Sequence, residues 1–213
     1  MTTMHKVLNI LAKTICVLLH PMLMPCYGMA LFFLSNQPTI ALLPKVYCMV
    51  SMVGTFVLTL VIPFVLMLFL WRKGYIDSLH IDQAQQRTTP YIYTLICYGF
   101  WTYFLHSTIH MPSFIVWIAV GAIVALLAVA LINHWWKISA HLTGIGGLLG
   151  GICSFSLCYS TLPIWLIISL LILSLLLMYA RLYLKAHTPM QVVCGYLLGI
   201  ICTFIPSLII TYA

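Results

Sequence analysis

The amino-acid sequence predicts an all-α protein, a polytopic transmembrane helical bundle of about 6–7 membrane-spanning helices. Of the 213 residues, 64% are hydrophobic and only 5% charged, where a soluble globular chain carries about a quarter charged. The mean hydropathy of +1.15 describes a chain solvated mostly by lipid. The uncharged intervals also divide by the roughly 20 residues that a helix rising 1.5 Å per residue needs to cross about 30 Å of hydrocarbon. Nine Lys and Arg with two Asp and Glu cannot clothe a water-facing surface, so a soluble enzyme is excluded.

Taken in order, the segments are Val7–Phe33, interrupted at His20-Pro21 and Pro25, then Val46–Trp71, Pro90–His106, Ser113–His134, Ser139–Cys158, Leu162–Leu184 and Pro189–Tyr212. The first has a basic flank but no small-residue cleavage pattern, so it is read as a retained helix whose prolines can make it two half-helices. Short uncharged turns separate several segments: Ser35-Asn36-Gln37-Pro38, His110-Met111-Pro112 and Ser160-Thr161-Leu162-Pro163. The one long polar stretch, Arg72 to Thr89, holds both acids of the chain, Asp77 and Asp82. The whole reads as a single integral-membrane domain, 1–213, with N-terminal helices over 7–71 and a core over approximately 72–213.

The net charge of +7 is spread out, with no Lys or Arg run longer than Arg72-Lys73, so nucleic acid is not expected as a partner. The eight cysteines lie in apolar stretches without ligand or disulfide spacing. Counting crossings puts the 72–89 stretch, the Lys137 break and the Arg181–Thr188 break on one membrane face with the N-terminus. That face holds Lys6, Lys13, Arg72, Lys73, Lys137 and Lys185 besides Arg87 and Arg181, against Lys45 opposite. The positive-inside rule makes it cytoplasmic, and the expected location is the bacterial inner membrane as a multi-pass protein.

Helix starts converge on this face. Thr188-Pro189-Met190-Gln191 is a capping box with Pro at the first helical position. Ser139 is a natural N-cap with His141 in the following turn, and Arg87-Thr88-Thr89-Pro90 is a third start with a cation beside it. Helix N-termini expose unpaired N–H groups and the positive end of the dipole, which favour an anion, most naturally a phosphate. Two imidazoles there, His141 and His187, suit phosphoryl transfer, one as nucleophile and one as proton donor.

At these residues the chain resembles the type 2 phosphatidic acid phosphatase superfamily, the lipid phosphate phosphatases, whose motifs run K-x6-R-P, P-S-G-H and S-R-x5-H-x3-D. Here the third is Ala180-Arg181-x5-His187-x3-Gln191, the second Ile138-Ser139-Ala140-His141, and the first aligns as Asp82-x6-Thr89-Pro90. The resemblance implies a helical core in which His187 attacks a phosphate monoester to form a phosphohistidine. It further implies that His141 protonates the leaving alcohol and that Arg181 holds the equatorial oxygens. Arg87, Thr89, Ser139 and Lys137 are the further candidates for phosphate binding, and Gln191 takes the place of the family's nucleophile-orienting Asp. An amide there cannot carry the charge that would stabilise an imidazolium.

Plainer readings stand beside these. Ser139 and Thr188 would be caps in any helical protein, and the capping box by itself accounts for Gln191. His20, His106, His110 and His134 invite a haem reading. His106 and His110, one turn apart, lie on one helix, whereas a bundle haem takes ligands from facing helices, so neither cofactor nor metal is expected. Gly146-x3-Gly150, Gly147-x3-Gly151 and Gly195-x3-Gly199 are small-x3-small patterns expected to allow close helix contact. The functional expectation is a membrane phosphatase acting on a lipid phosphate or pyrophosphate, with membrane lipids as its surroundings. The alternative is a catalytically inactive relative that binds or transports a lipid headgroup. Substrate identity and oligomeric state stay open.

Overall fold

The protein is represented by a computed structural model that describes residues 3–35, 37–76, 88–159 and 162–212. Helix α1 (Thr3–Leu18) leads through a 3-10 turn (Pro21–Leu23) into α2 (Met24–Leu34), a short α3 (Pro38–Ala41) and α4 (Lys45–Phe56). A π-helical turn at Val57–Val61 continues α4 into α5 (Ile62–Arg72). There follow α6 (Thr88–Ser107), α7 (Ser113–Ile132), α8 (Ala140–Tyr159), α9 (Ile164–Tyr183) and α10 (Pro189–Tyr212). The described residues contain no strand. The turn residues Asn36, Ser160 and Thr161, and Asp77, Asp82 and Arg87 of the polar stretch, lie outside the described residues.

Among the described residues six stretches are long and apolar enough to cross a membrane: Met4–Leu34, Lys45–Arg72, Ser113–Ile132, Ala140–Tyr159, Ile164–Tyr183 and Pro189–Ile209. The chain is an integral, multi-pass membrane protein of the all-α class. The expected segment Pro90–His106 is helical as α6 but is not among the six, because threonines and tyrosines dilute its apolar residues. Its indole anchor explains its place: Trp101 is buried and donates Nε1–H to Thr55 Oγ1 at 2.9 Å, clamping α6 onto α4. Pro90 is the third described residue of α6, in its first turn.

The first segment is broken into two helices, as its prolines allowed. The contacts of α2 run in parallel with those of α8: His20 meets His141 at 5.2 Å between ring centroids, and Phe32 meets Phe155 at 5.2 Å. The stretch from His20 to Phe32 therefore covers the same depth as the stretch of α8 from His141 to Phe155. Helix α1 packs against the end of α9, with His5 Nδ1 3.4 Å from Tyr183 Oη and Cys16 Sγ 3.8 Å from Arg181 Nη1. Residues near both of its ends thus meet the last turn of α9, and α1 and α2 are two helices and not one continuous helix. The physical reason is the break at Leu19-His20-Pro21. Pro21 has no N–H to continue α1, and His20, extended at φ −68 and ψ 138, turns the chain.

Helices α8 and α10 form the most closely packed pair, and glycine decides this. A Cβ at Gly195 would come within 2.7 Å of the Ser139 carbonyl oxygen, and one at Gly150 within 2.6 Å of the Ile200 oxygen. At Gly199 and Gly146 it would collide with the backbone oxygens of Thr143 and Tyr196. Without a hydrophobic drive inside lipid, such backbone contact is how membrane helices gain dispersion energy. Buried hydroxyls add to it, with Thr203 Oγ1 donating to Gly147 O at 2.9 Å across the pair. Gly199→Ala is expected to cost about 1–3 kcal/mol, as overpacking does, because backbone cannot yield. Gly99→Ala, where nothing lies within 4 Å, is expected to be neutral or slightly stabilising. Thermal unfolding of the two variants in detergent measures the contrast.

Candidate active site

The loop between α9 and α10 is built by two opposed caps. Lys185 closes α9 in the left-handed region at φ 52, with Leu184 N donating to Ala180 O and Ala186 N to Arg181 O at 3.0 and 3.1 Å. Three residues later Thr188 opens α10. Gln191 N donates to Thr188 Oγ1 at 3.5 Å and Thr188 N to Gln191 Oε1 at 3.1 Å, the reciprocal capping box that the sequence predicts. Between the caps, His187 is half-buried and aimed at the neighbouring break.

The histidine is held at one nitrogen by two acceptors. Its Nδ1 lies 3.1 Å from Lys137 O and 3.2 Å from Gln191 Oε1. Carbonyl and amide oxygens only accept, so the ring proton resides on Nδ1 and the lone pair on Nε2. Gln191 thus does more than cap, and the Lys137 main chain shares the task. Ser139 N donates to Gln191 O at 3.2 Å, locking the 137–139 segment to the start of α10.

His141, in the first turn of α8, hydrogen-bonds the Cys16 backbone and stands edge-on to His20 at an interplanar angle of 82°. Arg181, from the last turn of α9, bonds Cys16 Sγ through Nη1, and its charge acts on His20, His141 and His187 alike. Its Nε is shut off from solvent without a hydrogen-bond partner, and so is Ser139 Oγ. No acidic side chain occurs among the described residues to neutralise the guanidinium. A buried cation with an orphaned donor needs an anion to offset its desolvation.

Of the sequence-predicted residues, His141, Arg181, His187 and Gln191 are brought together, with Ser139 beside them. Ser139 is not the side-chain cap that its position suggested, since its carbonyl takes the first-turn bonds from Thr143 and its hydroxyl stays unbonded. Lys137 enters through its main-chain oxygen. Thr89 is exposed in the first turn of α6, and among the described residues no hydrogen bond joins it to the cluster. Arg87 lies outside the described residues. Sequence reasoning missed His20 and Cys16 as members of the cluster. The available signal was the His20-Pro21 interruption, a polar residue beside a helix break in an otherwise apolar stretch.

Next to the cluster opens an apolar cavity of about 200 Å³. At one end Pro21 and Ala140, neighbours of His20 and His141, line it, and it reaches Trp101, Leu105 and Ile115 deeper in the bundle. Its walls carry few polar groups, chiefly the hydroxyls of threonines such as Thr59 and Thr143 and of Tyr98.

This arrangement is the polar end of a membrane helical bundle with an anion-seeking cluster. Residues 119–213, which carry His141, Arg181 and His187, match the family model described as the PAP2 superfamily. Through this C-terminal part the chain is similar to the type 2 phosphatidic acid phosphatase superfamily, as the motifs implied. The similarity points to phosphatase-type activity on phosphate esters. No curated protein and no solved structure matches the chain significantly.

Burial, with the Arg181 charge in second place, lowers the pKa of His187 from 6.5 to about 4. The neutral ring therefore prevails at physiological pH. Because the unfolded chain binds this proton more readily, His187 favours the folded state above pH 6.5 and this contribution is lost as pH falls through about 4. Wild-type protein is expected to lose more thermal stability between pH 7 and pH 4.5 than His187→Gln does, measured by unfolding in one detergent.

Proposed function

We propose that the protein is a membrane phosphatase that hydrolyses a lipid phosphate monoester or pyrophosphate through a phosphohistidine on His187. The observation that carries this reading is the pairing of Arg181, its buried Nε unbonded, with a histidine whose Nδ1–H is tied to two acceptors. Arg181 holds the phosphoryl oxygens, and the His187 Nε2 lone pair attacks phosphorus as the ester P–O bond breaks. His141, oriented by the Cys16 backbone, gives its proton to the departing alkoxide. It then takes a proton from the water that cleaves the N–P bond and releases inorganic phosphate. Ser139 Oγ, buried and unbonded, is a further donor for a phosphate oxygen. Lys137, Thr89 and Arg87 complete the proposed electrostatic surroundings. The apolar cavity is the seat of an acyl or prenyl tail, which makes the substrate a lipid. The site faces the cytoplasm of a bacterial inner membrane in this reading, by the excess of cations on its face.

Gln191 favours a second reading, a headgroup binder without turnover. Its amide fixes the His187 ring but cannot offset the positive charge that grows on phosphorylation. Turnover of the wild-type protein is therefore expected to be slow. Phosphate release from lipid phosphates by the detergent-purified chain separates the readings. His187→Ala is expected to abolish it, His141→Ala to lower it by about 10²–10⁴, and Gln191→Asp to raise it. Lipid phosphate binding without release by either wild-type or Gln191→Asp would establish the binder.

The cavity makes its own prediction. Ala122 lines it, and Ala122→Phe is expected to raise KM for a long-chain lipid phosphate while leaving hydrolysis of a short-chain phosphate ester unchanged. Equal effects on both substrates would remove the tail from the cavity.

A further inference from the structure

We propose that His20, at the break between α1 and α2, is a phosphate-binding residue of the site, donating its Nε2–H to an oxygen of the bound phosphoryl group. The inference rests on the phosphate reading of the site, but its evidence is separate, because His20 lies outside the matched residues 119–213.

The backbone fixes the tautomer. Met22 N donates to His20 Nδ1 at 3.4 Å, where the side chain caps the 3-10 turn at Pro21–Leu23. A neutral imidazole that accepts at Nδ1 carries its proton on Nε2, so the ring presents a donor on the side away from its own turn. No acceptor among the described residues takes that proton, and Nε2 is not sealed inside the protein, so it is free to donate to a bound group. The ring stands at the site. The ring meets His141 at 5.2 Å, and it feels the Arg181 charge that also reaches His187. The following Pro21 and Met22 line the adjoining cavity.

The chemistry needs such a group. At the first-motif positions the sequence offers Asp82 and Thr89 where the family resemblance implies cations. With Arg181, Ser139 and His20, the anion has donors from α9, the start of α8 and the α1–α2 break. The break in the first helix thus supplies one wall of the pocket, and His20 is held there by the same turn that it caps.

Two substitutions separate binding from capping. His20→Asn retains a short side-chain acceptor, among the best N-caps, but withdraws the Nε2 donor. His20→Gln carries an amide N–H about where Nε2 stands and caps less well. Titration calorimetry of the detergent-purified full chain with inorganic orthovanadate, a phosphate mimic, reads the difference, with thermal unfolding alongside. The proposal expects His20→Asn and His20→Ala to weaken binding by about tenfold or more, the scale of a hydrogen bond to a charged group. His20→Gln is expected to bind within about threefold of wild type, even if its unfolding temperature falls. Wild-type affinity in His20→Asn would overturn the proposal, as would equal losses in His20→Asn and His20→Gln. If the wild-type chain binds orthovanadate but releases no phosphate from any lipid, only the hydrolytic reading falls and the His20 comparison still decides. If the wild-type chain binds no orthovanadate, both fall.

Discussion

The close approach of α8 and α10 is the constraint on which the rest of the structure depends. Glycines at 146, 150, 195 and 199 let the two backbones touch, so the starts of both helices are fixed side by side. From that contact follows the bond from Ser139 N to Gln191 O, and from that bond the placement of the Lys137 carbonyl against His187. A larger side chain along the seam would part the helices, whose starts hold His141 and the loop of His187. The packing glycines and the chemistry-bearing histidines are one device, with the seam acting at a distance on the site.

The electrostatics follow from burial and from the scarcity of acids. A guanidinium at the edge of an apolar bundle usually finds a carboxylate; among the described residues its neighbours are imidazoles and a thiol. Burial, with the field of that guanidinium in second place, leaves His187 neutral. In the proposed reaction a neutral His187 and a cationic Arg181 are complementary, since a nucleophile needs a lone pair and a phosphoryl group needs a cation. The departure at Gln191 belongs in this balance. The amide keeps the orienting hydrogen bond and the cap, and gives up only the negative charge.

Much of the site was legible from spacing. The x5 interval from Arg181 to His187 spans one helix end, a left-handed residue and a cap, which returns both side chains to one level. Thr188, Pro189 and Gln191 announced the start of α10 because capping chemistry is local. Ser139 was read correctly as a position and wrongly as a cap, because whether a hydroxyl reaches an N–H depends on a rotamer set by surrounding packing. Thr89 was proposed from a motif alignment that carries little of the motif, and it stands exposed.

By itself, the sequence determined the class of the protein, the helical stretches and the identity of the histidines and arginine on one face, since hydropathy, charge scarcity and caps are all local properties of the chain. Only the tertiary structure decided what the first helix does. Hydropathy counts Met4–Leu34 as one apolar stretch, and nothing in composition says which partners its two helices take. The contacts of His5, Cys16 and His20 with residues far along the chain decide that. They arise because a broken helix buries its Ala12 and Cys16 side against α9 and the site, a long-range packing choice that no window of sequence contains.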